Sequence, residues 1–240
     1  MTRRTVPILL LLLASLTLVF PAAAQNRDPV ENPAIPTVTF NCLWEAATPQ
    51  LYTITARSTG TARYVSGNPV RKSEDAAQAA DPDYTLEFTL SSPGAAKVFA
   101  LATQAKYFDG DFDYKHRVAN TGAKTLTYAD LTRHFQTTYN WSENAAIDQL
   151  TSYFQGISGT IEHGRKLQFL HRYDKLGLEA HLKAMEDEAQ SHYLAELQII
   201  APVLESIAND SSVMNIARQR ARRLLQRAKD ETTNRVKTAK

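Results

Sequence analysis

Large side chains fall at every second position through Val38, Phe40, Cys42 and Trp44, with Thr37, Thr39, Asn41 and Leu43 between them. A period of two sends alternate side chains to opposite faces and predicts a strand buried on one side. Tyr52, Ile54 and Ala56 repeat the rhythm, Arg57-Ser58-Thr59-Gly60 supplies a turn, and Ala62 to Ser66 reads as the return strand of a hairpin. Tyr84, Leu86, Phe88 and Leu90 mark a further strand, after which Ser92 and Pro93 read as an N-cap and a first helical residue. The helix they open keeps a broad apolar face as far as Lys106. Phe112, Tyr114, His116 and Val118 then alternate as a strand, Asn120-Thr121-Gly122 makes a tight turn, Thr125 to Ala129 forms the partner, and His134 to Tyr139 adds one more. These elements predict an α+β domain over 37–139: a mostly antiparallel sheet with one packed helix.

From Asn140 the period changes to 3.6, and Asn140 with Glu143 fits a capping pair. One helical stripe runs through Ile147, Leu150, Phe154, Ile157 and Ile161, and a second through Leu167, Leu170, Tyr173 and Leu176, stopped by Gly177. A third runs through Leu178, Leu182, Met185, Ala189, Tyr193, Leu197 and Ile200, with Pro202 to kink or restart it. Asp210-Ser211-Ser212 caps the last helix, whose apolar face is Val213, Ile216, Ala217, Ala221, Leu224 and Leu225. The expectation is an all-α bundle of four to five helices over 140–230, with a disordered tail over 231–240.

The N-terminus has a different logic. Arg3 and Arg4 precede an apolar run from Pro7 to Phe20, and Pro21-Ala22-Ala23-Ala24 ends in small residues. That is the pattern of a signal peptide over 1–24 cleaved after Ala24, with an apolar core too short to span a bilayer. It implies an extracytoplasmic protein, periplasmic or secreted. Residues 25–36 carry three prolines among polar residues and read as a flexible leader. Cys42 is the one cysteine of the chain, which excludes an intramolecular disulfide, and its place in the alternation makes it a buried strand residue.

The chain has a formal net charge of +2, and the loss of Arg3 and Arg4 brings it to zero, so nucleic acid is not an expected partner. The distribution is uneven. Residues 211–240 hold nine basic side chains against Asp230 and Glu231, a surplus of seven. Arg218, Arg220, Arg222, Arg223 and Arg227 lie on the faces left open by the last apolar stripe and form a candidate interaction surface, suited to an anionic surface or another envelope protein. The alternative is a solvated face partly paired with Glu186-Asp187-Glu188.

Familiar chemistries find little footing. Asp109-Gly110-Asp111-Phe112-Asp113 opens like a calcium loop, but Tyr114 stands where the turn needs glycine and Asn120 where a bidentate Glu is wanted. The six histidines, at 116, 134, 163, 171, 181 and 192, include no pair flanking a Glu at zinc-hydrolase spacing; Glu188 and His192 share a helix face as an ordinary i, i+4 pair. Ser158 lacks the spacing of a nucleophile elbow, and no phosphate-cradling loop occurs. No catalytic residue, metal or cofactor is therefore assigned from the sequence.

Two resemblances add to this reading. Leu204 to Asp210, a turn, and Val213 through Ala217-Arg218, Ala221 and Leu224 resemble a HEAT-type helical pair, seen once. Residues 38–159, with Tyr-rich strands, a Gly turn before Tyr64 and a Ser-Pro helix start, resemble a family of exported bacterial α+β domains of unknown function. The second resemblance implies the fold and brings no catalytic residues. Three functions follow as expectations: a non-catalytic binding or scaffold module of the cell envelope; an envelope hydrolase with a dispersed Asp/Glu/His site, which needs several of Asp109, Asp111, His116, His134 and Glu188 to converge in a pocket; or a membrane-surface protein using the arginine helix.

Overall fold

The computed structural model describes residues 34–67 and 84–238, with side chains as far as Glu231. The expected signal peptide with its cleavage point, most of the expected leader and residues 68–83 lie outside the described residues. The fold is α+β, as the change of period predicts. Strands β1 (Thr37–Leu43), β2 (Leu51–Arg57), β3 (Thr61–Gly67), β4 (Tyr84–Thr89), β5 (Ala123–Ala129) and β6 (His134–Tyr139) form one sheet in the order β4-β3-β2-β1-β5-β6. Every neighbouring pair is antiparallel.

One face of the sheet is open and rich in threonine. Asn41 donates to Thr53 at 2.9 Å and Thr125 pairs with Thr138 at 2.9 Å across neighbouring strands. β-branched, hydrogen-bonding side chains suit a pleated surface that meets water. The other face is covered by α1 (Ser92–Gln104) and by the first half of α2 (Ala145–Tyr173), around a core that includes Val38, Phe40, Ile54, Val98, Leu126, Ile147 and Phe154. Phe40 stacks on Phe154 with centroids 5.3 Å apart. The second half of α2 contributes Leu167 and Leu170 to a separate core with α3 (Leu178–Gln190), α4 (Ala201–Asn209) and α5 (Asn215–Thr238). One helix thus runs through both cores. α5 remains helical through Thr238, into the segment expected as a tail.

Several local expectations are corrected. Residues 112–118 form no strand: β5 is already paired with β1 and β6, so neither of its edges is open to them. Tyr114 N donates to Trp141 O at 2.9 Å, and the Asp113 carboxylate accepts from Asn140 N at 2.9 Å, tying this stretch to the fold. Asn140 caps no helix. Its Oδ1 accepts from Thr121 N at 2.8 Å and its Nδ2 donates to Ala119 O at 2.8 Å, while Asn144 caps α2 by accepting from the Ala146 and Ile147 amides. The two stripes belong to one helix as far as Tyr173, Leu176 lies in the turn beyond it, and both side chains are exposed. The cap of α1 is Ser91, one residue before the expected Ser92.

The expected helix over 178–200 ends at Gln190, with His192 and Glu196 left-handed at φ 61° and 57°. The reason lies in α2, where Gly156 and Gly164 open a groove. A Cβ on Gly156 would stand 3.1 Å from Ala195 Cβ, and one on Gly164 2.4 Å from Ile200. The chain leaves the helix to lie in that groove, held by Ala195 N to Gly156 O at 3.3 Å and Thr160 Oγ1 to Ala195 O at 2.8 Å. Tyr193 points outward in consequence. α5 begins at Asn215, after a turn in which Asp210 accepts from Ser212 N at 2.9 Å, and Ile216 is exposed where a buried position was expected.

Candidate binding cleft

Directly opposed residues of antiparallel strands share a face, so each register line is a row of side chains across the sheet. On the helix-covered face the row through Phe40 reads Leu86, Tyr64, Ile54, Phe40, Leu126 and Thr137. Two residues further along the strands the row reads Tyr84, Ser66, Tyr52, Cys42, Lys124 and Tyr139. Every member of this end row carries a protic group, at positions whose phase is that of the apolar core.

The facing side of α2 is also polar. Asp148, Gln155 and Glu162 recur every seven residues, as do Thr151, Ser158 and Arg165. A seven-residue repeat keeps both sets on nearly one line of a helix, beside the apolar line of Ile147, Phe154 and Ile161. The two polar surfaces meet. Tyr139 donates to Thr151, whose own hydroxyl donates to Ile147 O at 2.7 Å. Tyr64 donates to Glu162 at 2.7 Å and lies 3.4 Å from the Ser158 hydroxyl, and Arg165 donates to the other Glu162 oxygen at 2.9 Å. Tyr52 stands directly opposite Cys42 in the end row.

Burial sets the protonation of this seam. The Cys42 thiol is pushed up, first by desolvation, with Tyr52 and Lys124 opposing, and desolvation likewise raises Tyr52, Tyr64 and Tyr139. Lys124 is 4% exposed, and desolvation lowers it. Its Nζ donates to Thr121 O at 3.0 Å, Thr121 Oγ1 at 2.9 Å, Gly122 O at 3.2 Å and Asn140 O at 2.8 Å. An ammonium has three N–H groups, so its donors are fully engaged within the fold.

Two cavities open from the seam, on either side of the β1–β2 loop. One, of about 280 Å³, is lined by Trp44, Trp141, Lys124, Asp148, Ser152 and Gln155 among others. Trp44 follows β1 and Trp141 follows β6, and they are the two tryptophans of the chain, 38% and 42% exposed. Gly122, at φ +89°, lets the chain pass against Trp44: a Cβ there would stand 2.5 Å from Trp44 Cβ. Tyr114 meets the Trp141 ring edge-on at 4.7 Å. The other cavity, of about 240 Å³, lies between the 45–50 segment and Ser66, Glu162 and Arg165. Gln50 Oε1 lines it and is buried with no hydrogen-bond partner among the described residues.

The residues singled out in the sequence lie elsewhere. Asp111 and His116 share a cavity of about 330 Å³ with Asp113 and Glu143, Asp111 being paired with Lys115 at 2.5 Å. His134 stands at the opposite end of the sheet from Tyr139. Glu188 binds His163 at 2.9 Å, not His192, and the other nitrogen of His163 meets His181 at 3.1 Å. Burial, and then His163, pushes His181 down to about 4.

The arginines of α5 are largely engaged. Arg220 bridges Glu179 and Glu186 of α3, Arg223 donates to Glu186 at 2.7 Å, Arg227 to Glu231 at 3.0 Å and Arg222 to Ala208 O at 3.0 Å. Arg218 reaches Asn215 at 3.4 Å. Glu186, Asp187 and Asp230 line the same groove as Arg223 and Arg227, so the surface there is of mixed charge.

Among the described residues no group of three or more His, Cys, Asp or Glu is placed to hold a metal ion, and no helix is long and apolar enough to cross a membrane. No family model and no characterised protein matches the chain.

Proposed function

We propose that the protein is an exported, non-catalytic binding module of the cell envelope, and that it takes its ligand in the cleft between α2 and the end of the sheet. One observation carries this reading: a row of core-phase positions across the whole sheet holds protic side chains, matched by a polar line on the helix above. Cohesion alone favours apolar residues there, because each buried polar group needs a partner. The neighbouring row is apolar at four of its six positions, Leu86, Ile54, Phe40 and Leu126, with Tyr64 and Thr137 as its protic members.

The chemistry of the cleft favours holding over reacting. Burial keeps the Cys42 thiol protonated, and the thiolate is the reactive form. Lys124 has spent its N–H groups on four oxygens, and Ser158 lies beside the Tyr64 hydroxyl, with no histidine hydrogen-bonded to it among the described residues. The signal-peptide pattern over 1–24 supports placement outside the cytoplasm.

The test uses tryptophan emission and hydrogen exchange of the purified protein mixed with soluble envelope extract. Binding protects the 44–50 segment and the first half of α2 and shifts the emission. Exchange and emission that ignore every fraction defeat the proposal, as does steady chemical turnover of an extract component.

A further inference from the structure

Resting on that reading of the cleft, we infer that the cavity between Trp44 and Trp141 binds a neutral saccharide, one or two pyranose rings of an uncharged glycan. The argument starts from what the cavity offers. Its volume of about 280 Å³ lies at the small end of ligand pockets, the size for a compact group and not for a nucleotide or a lipid chain. Its walls include two part-exposed indoles, each with an apolar face and one N–H donor. Asp148, Ser152 and Gln155 stand one turn apart along α2, all exposed, and none makes a side-chain hydrogen bond to another described residue. The indole N–H groups likewise have no acceptor among the described residues. The free inventory is thus two indole donors, a carboxylate acceptor, and a hydroxyl and an amide that both donate and accept.

Charge removes several ligand classes. Lys124 is the cation lining this cavity, and its ammonium is committed to Thr121, Gly122 and Asn140, so no donor remains to hold a phosphate or a carboxylate. Asp148 repels either group. A wholly apolar ligand would desolvate Asp148, Ser152 and Gln155 without replacing their hydrogen bonds to water. A cationic side chain could lie on an indole and pair with Asp148, but it offers no acceptor to the two indole N–H groups. A pyranose offers an axial C–H face to an indole and a rim of hydroxyls that donate and accept, and this satisfies every free group in the cavity.

The sequence supplies its own reporter, since both tryptophans of the chain line the site. The purified protein is titrated with cellobiose and with N,N′-diacetylchitobiose, two neutral β-linked disaccharides, with a tri-arginine peptide as the rival probe and calorimetry as the second readout. A saturable emission change with a disaccharide is expected below about 10 mM. Trp44→Ala and Trp141→Ala each leave one reporter and weaken binding about tenfold or more. Gln155→Ala, on an exposed helix face where it cannot unfold the protein, weakens binding several-fold with circular dichroism unchanged. A response to tri-arginine and to neither sugar overturns the saccharide assignment and leaves the cleft a binding site. Silence toward both sugars while envelope extract still shifts the emission has the same effect, whereas silence toward the extract as well overturns both proposals.

Discussion

Glu196 is 3% exposed, left-handed at φ 57°, and surrounded by donors. Ser91 N reaches Oε2 at 2.6 Å, Ser91 Oγ and Tyr153 OH reach Oε1 at 2.8 and 2.6 Å, and the Gln198 amide also donates. This one side chain ties the entry of α1 and the middle of α2 to the 191–200 segment. In Glu196→Ala the Ser91 amide and the Tyr153 hydroxyl both lose an acceptor in the interior, at about 1–3 kcal/mol each, while the fold is relieved of burying a carboxylate. The net loss expected is about 3 kcal/mol. Glu196→Gln keeps the shape and one acceptor oxygen. Its NH₂ can face the two hydroxyl oxygens, which rotate to accept, so the expected loss is only about 1 kcal/mol. Glu196→Gly should be no less stable than Glu196→Ala, the reverse of the usual order, because alanine in the left-handed region carries a strain of about 1 kcal/mol that glycine avoids. Urea unfolding followed by far-UV circular dichroism, with the m-value unchanged, measures all three. The reasoning fails if the alanine variant loses under about 1 kcal/mol or if the glutamine variant loses as much as alanine.

Two further predictions concern the periphery of the cleft and the helical core. Gly122→Ala meets Trp44 Cβ at 2.5 Å and the Leu43 carbonyl at 2.7 Å, at a φ of +89°. It should cost about 2 kcal/mol and change the emission of the displaced Trp44; wild-type emission and stability would show that Gly122 is not the constraint described. His181 is pushed down to about 4 from 6.5, so between those values the unfolded chain binds a proton that the fold refuses, and stability falls as pH falls through that window. The side chain is partly exposed, so screening reduces the loss to about 1 kcal/mol between pH 7.5 and 4.5. Asp130 and Asp210, held low by hydrogen bonds first from the Thr132 amide and from Lys175 respectively, lose their contribution only at lower pH. His181→Gln should flatten the urea midpoint across the window, and an unchanged slope in that variant would place its origin elsewhere.

The strands were legible where apolar and polar positions alternate against a partner. β1 shows this in Val38, Phe40 and Cys42, all buried. The same alternation at Phe112, Tyr114, His116 and Val118 misleads, because a period of two describes one chain while a strand needs an open edge on another. The end of α3 was hidden for a related reason: Tyr193, Leu197 and Ile200 keep the helical phase, and what stops the helix is a groove made by glycines in α2. The cleft escaped notice because its floor occupies core-phase positions. Tyr52 passes as part of the apolar rhythm, and Ser66 and Lys124 look like lapses from it, until the register places all three in one row. A local signal did exist, in the sevenfold recurrence of Asp148, Gln155 and Glu162 and of Thr151, Ser158 and Arg165 beside the apolar line. The α5 arginines stood out by charge; pairing with Glu186 was legible as the alternative reading, and Glu179, two turns earlier on α3, was the partner that charge along the chain did not name.

The sheet order places β1 between β2 and β5, so the first of the described strands to be synthesised ends as an inner one. Its hairpin partner follows within a few residues, but the partner on its other side begins only at Ala123. While a growing chain is shorter than that, the hairpin presents Val38, Phe40 and Cys42 along a bare hydrogen-bonding margin, the kind of template on which other chains assemble. Completion of the fold is therefore tied to the arrival of its later half, and a chain truncated before β5 should aggregate rather than wait.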